Sequence, residues 1–466
     1  MGGPDRPPEQ TDPDTQRVLD RVAAFTLRLD PEAFPAGTRQ RAALLLLDTL
    51  GICAAAAPLE AGRIARDTAV ALFGAGADGP AARLLFDGRR VSLAGAVFAA
   101  ATQIDNLDGH DGYNPTKGHI GVVAAPTLAA LARPGLSGAE ALAALIVGYE
   151  IAGRAGIALH ATVPEYHTSG SWNALGVVAM VARLRGQTDA QLREGLGIAE
   201  YHGPRSQMMR EIATPTMLHD GSGWGALAGM AAALMAERGF TGAPAVTVER
   251  VDAAAVWADL GQVWQTDLQY IKPYPVCRWA HAPIDAVREI WTLRGGRAPR
   301  GDAETITGVH IRSFANAVAL YPAMPATTAQ AQYSLAFAVA AQIEHGVLGV
   351  EQITGAGLED ARVARLVART TTEIAPEYEA RYPAGRWADV TLTLTDGRVL
   401  TSGETHARGG PERPFTQADI VDKFHAFADP VLGRPRATAL RDAVLALARG
   451  GGFDAVARHL HDPICR

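Results

Sequence analysis

Cysteine is scarce in this chain, and its scarcity excludes several kinds of protein. The sequence has 466 residues and three cysteines, Cys53, Cys277 and Cys465. They lie far apart and form no CxxC pair, so their spacing excludes the usual zinc and iron–sulfur patterns and a disulfide framework. Such cysteine usage is typical of a reducing compartment, and we expect a cytoplasmic protein.

Strongly basic segments and long apolar runs are also missing. The formal net charge is −6 without a basic block, which argues against a nucleic-acid partner. The apolar stretch 42–57 is interrupted by Asp48 and Gly51, and we expect no segment of membrane-spanning length and no membrane partner. Residues 1–14 are polar and proline-rich without the apolar core of a signal peptide, so we expect a disordered tail there.

The common motifs of nucleotide-binding proteins and serine hydrolases do not occur either. The sequence contains no GxGxxG after a predicted strand, no phosphate-binding GxxxxGK loop and no GxSxG turn. It also has no internal repeat. The chemistry of this chain must therefore be sought in polar clusters that belong to none of these classes.

Helical patterns occupy most of the chain as far as about residue 264. Many Ala- and Leu-rich segments are apolar on most faces, which indicates helices packed on helices. Ser137 with Glu140, and Thr188 with Gln191, fit capping boxes at two helix starts. The predicted helical segments are 38–57, 92–108, 126–133, 137–160, 170–186, 188–202 and 222–238.

The pattern changes near residue 275. Residues 306–314 alternate like a strand, and residues 389–401 predict a hairpin with its turn at Asp396-Gly397. A shorter hairpin is predicted at 80–91. The fold class is therefore mainly α, with a smaller α+β part after the helical part.

These patterns predict a discontinuous organisation. An all-helical domain takes residues 15–274 and 412–466, because the C-terminal helices are expected to rejoin the first helices. An α+β domain of usual size takes residues 275–411.

Polar side chains concentrate in residues 105–119, between two apolar runs. We expect Asp105 and Asp108 in the last turn of the preceding helix, where the helix dipole disfavours carboxylates. A costly arrangement indicates function, although Asp before Gly is also ordinary turn chemistry. His119 follows in a glycine-rich approach to a helix and is either an acid or base near neutral pH or a loop histidine bonded to a carbonyl group.

A second candidate stretch, residues 271–281, lies at the expected domain junction. Prolines stiffen it, and Lys272, Tyr274, Arg278 and His281 can face a cleft of the kind that binds ligands between domains. The alternative is a rigid linker with surface charges.

Other polar groups have both functional and structural interpretations. His167 precedes a helix start, where it can help to bind an anion or serve the structure alone. Glu150 and Arg154 are spaced as a salt bridge on one helix face. The aspartates and histidines of 105–119 are of metal-ligand type, but their spacing fits no known pattern, and we assign no metal.

Arg205 and Arg210 lie in a segment with two histidines. They can hold a carboxylate ligand through paired hydrogen bonds, or they can pair with Glu211 and Asp220.

Several stretches of the chain together resemble the MmgE/PrpD family of dehydratases, decarboxylases and epimerases. Each motif is weak alone, but they span nearly the whole chain in family order. The matching pieces are Leu47-Asp-Thr-Leu-Gly51, Asp105-Asn-Leu-Asp-Gly with His119, Gly148-Tyr-Glu150 with Arg154, His167-Thr with Gly170 and Trp172, Lys272-Pro-Tyr-Pro-Val-Cys277 with His281, Ala331-Gln-Tyr-Ser334 and Asp422-Lys-Phe424.

The resemblance implies a helical domain made from both chain ends, a smaller α+β lid domain, a homodimer, and chemistry without metal or cofactor on small di- or tricarboxylates. In the family's decarboxylases, active-site positions match Asp105, His119 and His281. We expect these three to be catalytic. Substrate carboxylates are assigned to Lys272, Arg278, Lys117, Tyr274 and His167.

The chain departs from the family pattern at two matched positions. A threonine expected near Gly109 is glycine, and a lysine expected at position 216 is Thr216. The segment between Asp108 and His119 is also longer than usual, and Lys117 within it can restore the missing charge. These departures affect the expected substrate more than the expected fold.

The shared family chemistry is proton movement at a carbon next to a carboxylate, with an enolate-like intermediate stabilised by nearby groups. We therefore expect a lyase, either a dehydratase or a decarboxylase. An epimerase using the same residues is the first alternative, and a non-catalytic carboxylate-binding protein is the second.

Overall fold

The computed structural model describes residues 13–77, 79–293 and 302–464. Most of the expected tail, residues 1–12, lies outside this range, and so does Cys465, whereas the first helix already begins at Pro13. The fold is mainly α-helical with a smaller α+β part, as the sequence predicted.

The first part of the chain is built of helices that follow most of the predicted segments closely, but the helix expected at 126–133 begins at Gly121 and has Pro126 in its interior. The Thr188–Gln191 capping box is present, and Ser137 Oγ accepts a hydrogen bond from the Glu140 N–H at 3.1 Å. The elements are α1 (Pro13–Ala23), α2 (Ala36–Ala56), α3 (Glu60–Leu72), β1 (Ala81–Arg83), β2 (Arg90–Ser92), α4 (Leu93–Asp105), α5 (Gly121–Leu131), α6 (Gly138–Thr162), α7 (Gly170–Arg185), α8 (Asp189–His202), α9 (Met208–Ala213), α10 (Ser222–Glu237), α11 (Val246–Glu249) and α12 (Ala254–Trp257).

Close backbone contact joins these helices into one core. α7 packs against both α6 and α10, and α10 continues onto α4 and α8. A Cβ atom at Gly229 of α10 would lie 2.4 Å from the Ala174 carbonyl oxygen of α7, so only glycine permits this approach. The small residues that dominate the sequence are therefore what allows helices to bury their faces against one another.

The helix α6 differs from the expectation that no segment reaches membrane-spanning length. By length and composition it is the one helix among the described residues that passes that test alone. Its most apolar window is 94% buried inside the fold, and core helices of this kind pass the same test. Its apolar character therefore fits its central position between α2 and α7.

The second part of the chain combines one mixed sheet with helices. The strand order is β4-β3-β5-β6, β7 pairs with β5, and β3 and β4 are parallel while the other pairs are antiparallel. The predicted hairpin is present, with Gly397 at φ +83° in its turn. The elements are α13 (His281–Leu293), β3 (Ile306–Ser313), α14 (Ala315–Val318), α15 (Thr328–Gln332), α16 (Leu335–His345), α17 (Val350–Ile353), α18 (Ala361–Val367), β4 (Thr370–Ile374), α19 (Pro376–Glu379), β5 (Trp387–Leu394), β6 (Val399–Thr401) and β7 (Thr405–His406).

The chain ends in three helices, α20 (Gln417–Leu432), α21 (Arg434–Leu447) and α22 (Asp454–Leu460). α20 and α21 pack against α2, which lies almost at the opposite end of the sequence. This packing supports the predicted return of residues 412–466 to the helical domain. The full domain division stays a prediction.

Candidate active site

The stretch 105–119 is a buried loop between α4 and α5 rather than the end of a helix. α4 ends at Asp105, so the expectation that Asp108 lies in its last turn is wrong. Asp108 has φ +52°, a left-handed backbone conformation that cannot continue a right-handed helix. Asp105 Oδ2 accepts a hydrogen bond from the Ser222 N–H at 3.1 Å, at the start of α10. The carboxylate thus meets the favourable end of one helix, which compensates for its place at the unfavourable end of another.

Backbone strain is concentrated in the same region. Phe86, Asp108, Lys117 and His219 are the non-glycine residues with positive φ among the described part of the chain. All but Phe86 lie in or beside the 105–119 loop. Left-handed backbone at non-glycine residues costs free energy, and its clustering points to a site held in a required geometry.

Buried lysines hold this loop from two sides. Lys272 Nζ donates to Asp108 Oδ1, and both side chains are buried. Lys423 Nζ of α20 donates to Asp48 of α2 and, at 2.7 Å, to the carbonyl oxygen of Gly109. Each ammonium group has a carboxylate partner, as buried charges require. The loop therefore lies between cations from two distant parts of the sequence.

His119 has the geometry of a neutral base. Its Nδ1 lies 2.6 Å from the Asp111 carbonyl oxygen, which can only accept, so Nδ1 carries the proton. The lone pair of Nε2 then faces Asp220 Oδ2 at 3.4 Å and Asp108 Oδ1 at 4.0 Å. Burial, with the nearby Lys272 charge, lowers the pKa of His119 to about 4, so the ring is neutral near pH 7.

Carboxyl groups crowd around this imidazole. We call Asp105, Asp108, Glu211 and Asp220 the acidic cluster. Burial and the neighbouring Asp220 carboxylate raise the pKa of Asp105 well above its usual value, and burial raises the pKa of Asp220. Glu211, which accepts from the Tyr333 hydroxyl, has its pKa raised for the same reasons as Asp105. Protonated members of this cluster can donate protons beside a neutral histidine base.

Two further histidines border the acidic cluster. The His110 ring lies 4.6 Å from the His119 ring, and neither of its nitrogens has a hydrogen-bond partner among the described residues. His219 packs at 5.8 Å against the Tyr333 ring, and burial lowers its pKa to about 4. Burial likewise lowers the pKa of His110 well below its usual value, which favours the neutral form of both rings.

Sequence reasoning missed several of these residues. Asp220 and Glu211 were weighed as partners of Arg205 and Arg210, but both arginines are exposed. Asp220 instead accepts from the Ser169 N–H at 3.2 Å. The signal that was available lay in the family motifs, which include Tyr333 and the segment just before Asp220.

His281 belongs to a different network from His119. Its Nε2 lies 3.0 Å from the Val276 carbonyl oxygen and its Nδ1 lies 3.4 Å from the Arg278 guanidinium. Burial, followed by the Arg278 charge, lowers the pKa of His281 well below its usual value. The two predicted catalytic histidines share one electrostatic influence, since the Lys272 charge lowers the pKa of both.

The other junction residues bind neighbouring protein groups. The Tyr274 hydroxyl donates to Asp285 at 2.7 Å and accepts from Arg408 at 3.1 Å. Arg278 donates to the Arg408 carbonyl at 2.6 Å, lies 4.4 Å above the Tyr270 ring, and leaves Nε without a partner among the described residues. Arg278 thus keeps an open donor, whereas Tyr274 is occupied.

Lys117 and His167 lie at the outer side of the loop. Lys117 is half-buried, with Nζ 4.1 Å from the centre of the Tyr166 ring. His167 is buried, and its Nδ1 faces the Glu165 carbonyl at 3.0 Å. Its backbone also forms a bridge with Gln207, and both contacts fit the structural interpretation of His167.

The two departures from the family pattern have clear structural surroundings. A Cβ atom at Gly109 would lie 2.7 Å from Ile52 Cδ1, so a side chain there needs Ile52 to move. Thr216 is exposed, and its Oγ1 accepts from the Leu218 N–H at 3.3 Å. The segment around Thr216 therefore sends no cation toward the acidic cluster.

Both halves of the chain match models of one protein family. The MmgE/PrpD N-terminal domain matches residues 20–262, and the MmgE/PrpD C-terminal domain matches residues 274–449. The chain belongs to the MmgE/PrpD family.

The named relatives have low sequence identity to this chain, but the similarity covers most of each sequence. The chain is 25% identical to cis-aconitate decarboxylase of Homo sapiens over 72% of this chain and 73% of the relative. It is 24% identical to cis-aconitate decarboxylase of Aspergillus terreus over 77% and 78% of the two chains. The cis-aconitate decarboxylase-like protein oryM of Aspergillus oryzae is 22% identical over 92% and 94%. These relatives support an enzyme of the MmgE/PrpD type.

Proposed function

We propose that this chain is a cofactor-independent lyase that acts on a small di- or tricarboxylic acid by proton transfer at the carbon next to a carboxylate. The observation that carries the proposal is the neutral His119, whose Nε2 lone pair faces the acidic cluster. A buried base beside protonated carboxyl groups is suited to moving a proton to and from carbon. The names of the relatives favour decarboxylation over dehydration.

In a decarboxylation, the bond between carbon and a carboxylate breaks, carbon dioxide leaves, and the electron pair remains as an enolate-like carbanion. A protonated carboxyl group of Asp220 or Asp105 then supplies the proton, directly or through His119. In a dehydration, Nε2 of His119 removes the proton first, and hydroxide leaves from the neighbouring carbon with a proton from the same cluster. Both routes use the same groups in a different order.

The remaining predicted residues have secondary roles in this proposal. His281 is assigned as the opposing proton donor or acceptor. Its Nε2–H faces the Val276 carbonyl, so Nδ1 accepts a proton first and can then return it. Arg278 receives a substrate carboxylate through its open Nε. Lys272, which pairs with Asp108, adds positive potential near the carbanion. Tyr274 and His167 position the surrounding segments.

Proton NMR in deuterium oxide tests the reaction directly. The purified protein is incubated with cis-aconitate, with a saturated 2-hydroxy tricarboxylate and with a panel of dicarboxylates, and loss of substrate and deuterium incorporation are followed. We expect product with deuterium at the former site of bond cleavage. The His119→Asn variant should lose about 100- to 10,000-fold in kcat, the range typical of a general acid–base group.

The alternatives give different spectra. Deuterium exchange at the α-carbon without elimination or carbon dioxide release would identify an epimerase. Binding of an acid, seen as a thermal shift, without exchange or conversion would identify a non-catalytic carboxylate-binding protein. An unchanged kcat in a folded His119→Asn variant would contradict the assignment of the base.

Assembly and location complete the proposal. We propose a homodimer, as the family resemblance implies, and sedimentation should then give about twice the chain mass of 49.0 kDa. Cytoplasmic location stays a prediction that microscopy of a tagged full-length chain in its native host would test.

A further inference from the structure

Lysine is almost absent from this chain, and the few lysines share one location. The sequence has 43 Lys and Arg residues, of which Lys117, Lys272 and Lys423 are the only lysines. Lys272 pairs with Asp108, Lys423 donates to the Gly109 carbonyl, and Lys117 lies two positions before His119. A chain that otherwise uses arginine thus has lysines at one loop.

Lys117 differs from the other two because it has no counter-charge. Among the described residues, no carboxylate lies within ion-pair distance of Lys117, and its Nζ contacts the face of the Tyr166 ring. Burial, followed by the charge of Arg386, lowers the pKa of Lys117. The charge that lowers the pKa of Lys117 is thus that of another cation.

Arg386 likewise has no carboxylate partner among the described residues. It is 1% exposed, and its guanidinium donates to the carbonyl groups of Pro383 and Gly385 rather than to an acid. Its Nε has no hydrogen-bond partner in the described part of the chain, and its guanidinium lies 4.9 Å from the Tyr382 ring. A fully buried guanidinium with an open donor and no carboxylate is costly unless an anion binds it.

The segments that carry Lys117 and Arg386 meet where the 105–119 loop contacts residues 382–387. Asn114 Nδ2 donates to the Ala384 carbonyl at 3.4 Å across this contact, and Asn114 Oδ1 remains buried without a partner. The Tyr270 ring is 6.5 Å from the His119 ring, its backbone pairs with Gly112 of the loop, and the charges of Arg386 and Asp108 both affect its pKa.

We propose that Lys117 and Arg386 bind the carboxylate of the substrate that lies remote from the reacting carbon. This inference rests on the proposed function and makes the substrate class at least a dicarboxylate. One carboxylate lies between the two cations, and the reacting end extends past Tyr270 toward His119. Lys117 and Arg386 together are called the cationic pair.

Chemical labelling tests the site without requiring turnover. Lys272 is fully buried and Lys423 is 8% exposed, so reductive methylation of the folded protein should modify Lys117 first. Mass spectrometry then compares Lys117 methylation with no acid, with butyrate, with glutarate and with tricarballylate. We expect strong protection by the acids with two or three carboxylates and none by butyrate. Equal methylation in all four samples would overturn the proposal.

Substitutions at Lys117, with a control at an exposed arginine, test whether the cationic pair itself binds the carboxylate. Lys117→Gln should raise KM for the true substrate, or the dissociation constant of glutarate, about 10- to 100-fold, the equivalent of one charge-assisted contact. kcat should change less than threefold, and Lys117→Arg should recover most of the affinity. Arg205→Gln, at an exposed arginine, is the matched control and should change neither quantity.

The outcomes also separate this inference from the proposed function. Protection of Lys117 without conversion of any acid supports the cationic pair and argues against the lyase. Conversion of an acid with an unchanged KM in Lys117→Gln supports the lyase and refutes the cationic pair. Arg386→Lys gives a second test, because it keeps the charge while removing the open Nε, and it should weaken glutarate binding at least fivefold.

Discussion

The acidic cluster and the cationic pair deal with buried charge in opposite ways. In the acidic cluster, Asp108 is neutralised by Lys272, and Asp105 and Asp220 have raised pKa values that favour the uncharged form. In the cationic pair, neither Lys117 nor Arg386 has an acidic partner among the described residues. The buried acids of the first region are thus compensated within the protein, whereas the cations of the second have no compensating acid among the described residues.

This difference in charge compensation indicates which end of a substrate each region can accept. In the proposed reaction, the acidic cluster exchanges a proton with the reacting carbon. A carboxylate brought to Lys117 and Arg386 would be attracted. In the proposed binding mode, the two regions together orient an acid with its reacting carbon toward the acidic cluster.

The largest effect expected from this comparison is on stability. Lys272→Met removes the partner of the buried Asp108 and should lower the free energy of unfolding by about 3–5 kcal/mol. Lys117→Met, the same substitution at a lysine without an acidic partner, should cost less than about 1 kcal/mol. Urea denaturation of both variants measures the contrast. Equal losses would show that Lys117 has a partner of similar strength.

The second expected effect is on the pH dependence of activity. A base with a pKa of about 4 stays deprotonated as the pH falls from 7 to 5, so kcat/KM should change by less than about twofold over that range. A histidine with the ordinary pKa of about 6.5 would lose roughly 30-fold. The pH profile of the wild-type protein distinguishes the two, and a fall centred on pH 6.5 would contradict the buried neutral base.

The same lowered pKa has a consequence for stability with a definite sign. Below pH 6.5 the unfolded chain takes up a proton at His119 before the folded protein does, so His119 makes the fold less stable as the pH falls toward 4. His119→Asn should therefore flatten the pH dependence of unfolding in that window. Denaturation curves between pH 4 and 7 provide the measurement.

A third, smaller effect concerns the space beside the acidic cluster. Restoring the family threonine with Gly109→Thr places a side chain against Ile52, and overpacking of this kind costs about 1–3 kcal/mol. Adding Ile52→Val should recover part of that loss in the double variant. If Gly109→Thr alone does not lower the free energy of unfolding, the Ile52 side chain can move aside at little cost in free energy.

The smallest effect should come from restoring the family lysine at the other departed position. Thr216 is exposed, so Thr216→Lys should change the free energy of unfolding by no more than about 0.5 kcal/mol. KM should stay within about twofold, since the new charge points to solvent. A clear fall in KM would show that this segment turns inward when substrate binds.

The helices were predictable because their signals are local. Two of these signals, the Thr188–Gln191 capping box and the glycine at the turn of the second hairpin, act within a few residues of sequence. The apolar character of α6 is visible along one continuous stretch of the sequence. Asp108 was assigned to a helix wrongly, since α4 ends at Asp105, and its side chain instead pairs with Lys272, 164 positions away. Tertiary contacts of that kind leave no periodic trace.

The site was predicted in part for the same reason. Asp105 and His119 stand in a polar stretch that is conspicuous in the sequence, whereas Asp220 and Glu211 are single acids whose role depends on Ser169 and Tyr333. Whether His281 is catalytic stays a prediction. Its neighbours at the junction were found, but their actual partners could be read only from the folded chain.

The contact of Lys423 with Asp48 and Gly109 also sets the order in which the protein can become functional during synthesis. Lys423 follows Asp48 by 375 positions, so α2 leaves the ribosome long before α20 exists. Until then the buried Asp48 has no ammonium partner, the face of α2 that α20 covers is open, and the loop of His119 lacks its anchor. The reaction centre is thus completed by the last tenth or so of the chain, and a nascent or truncated chain should need a chaperone and lack activity.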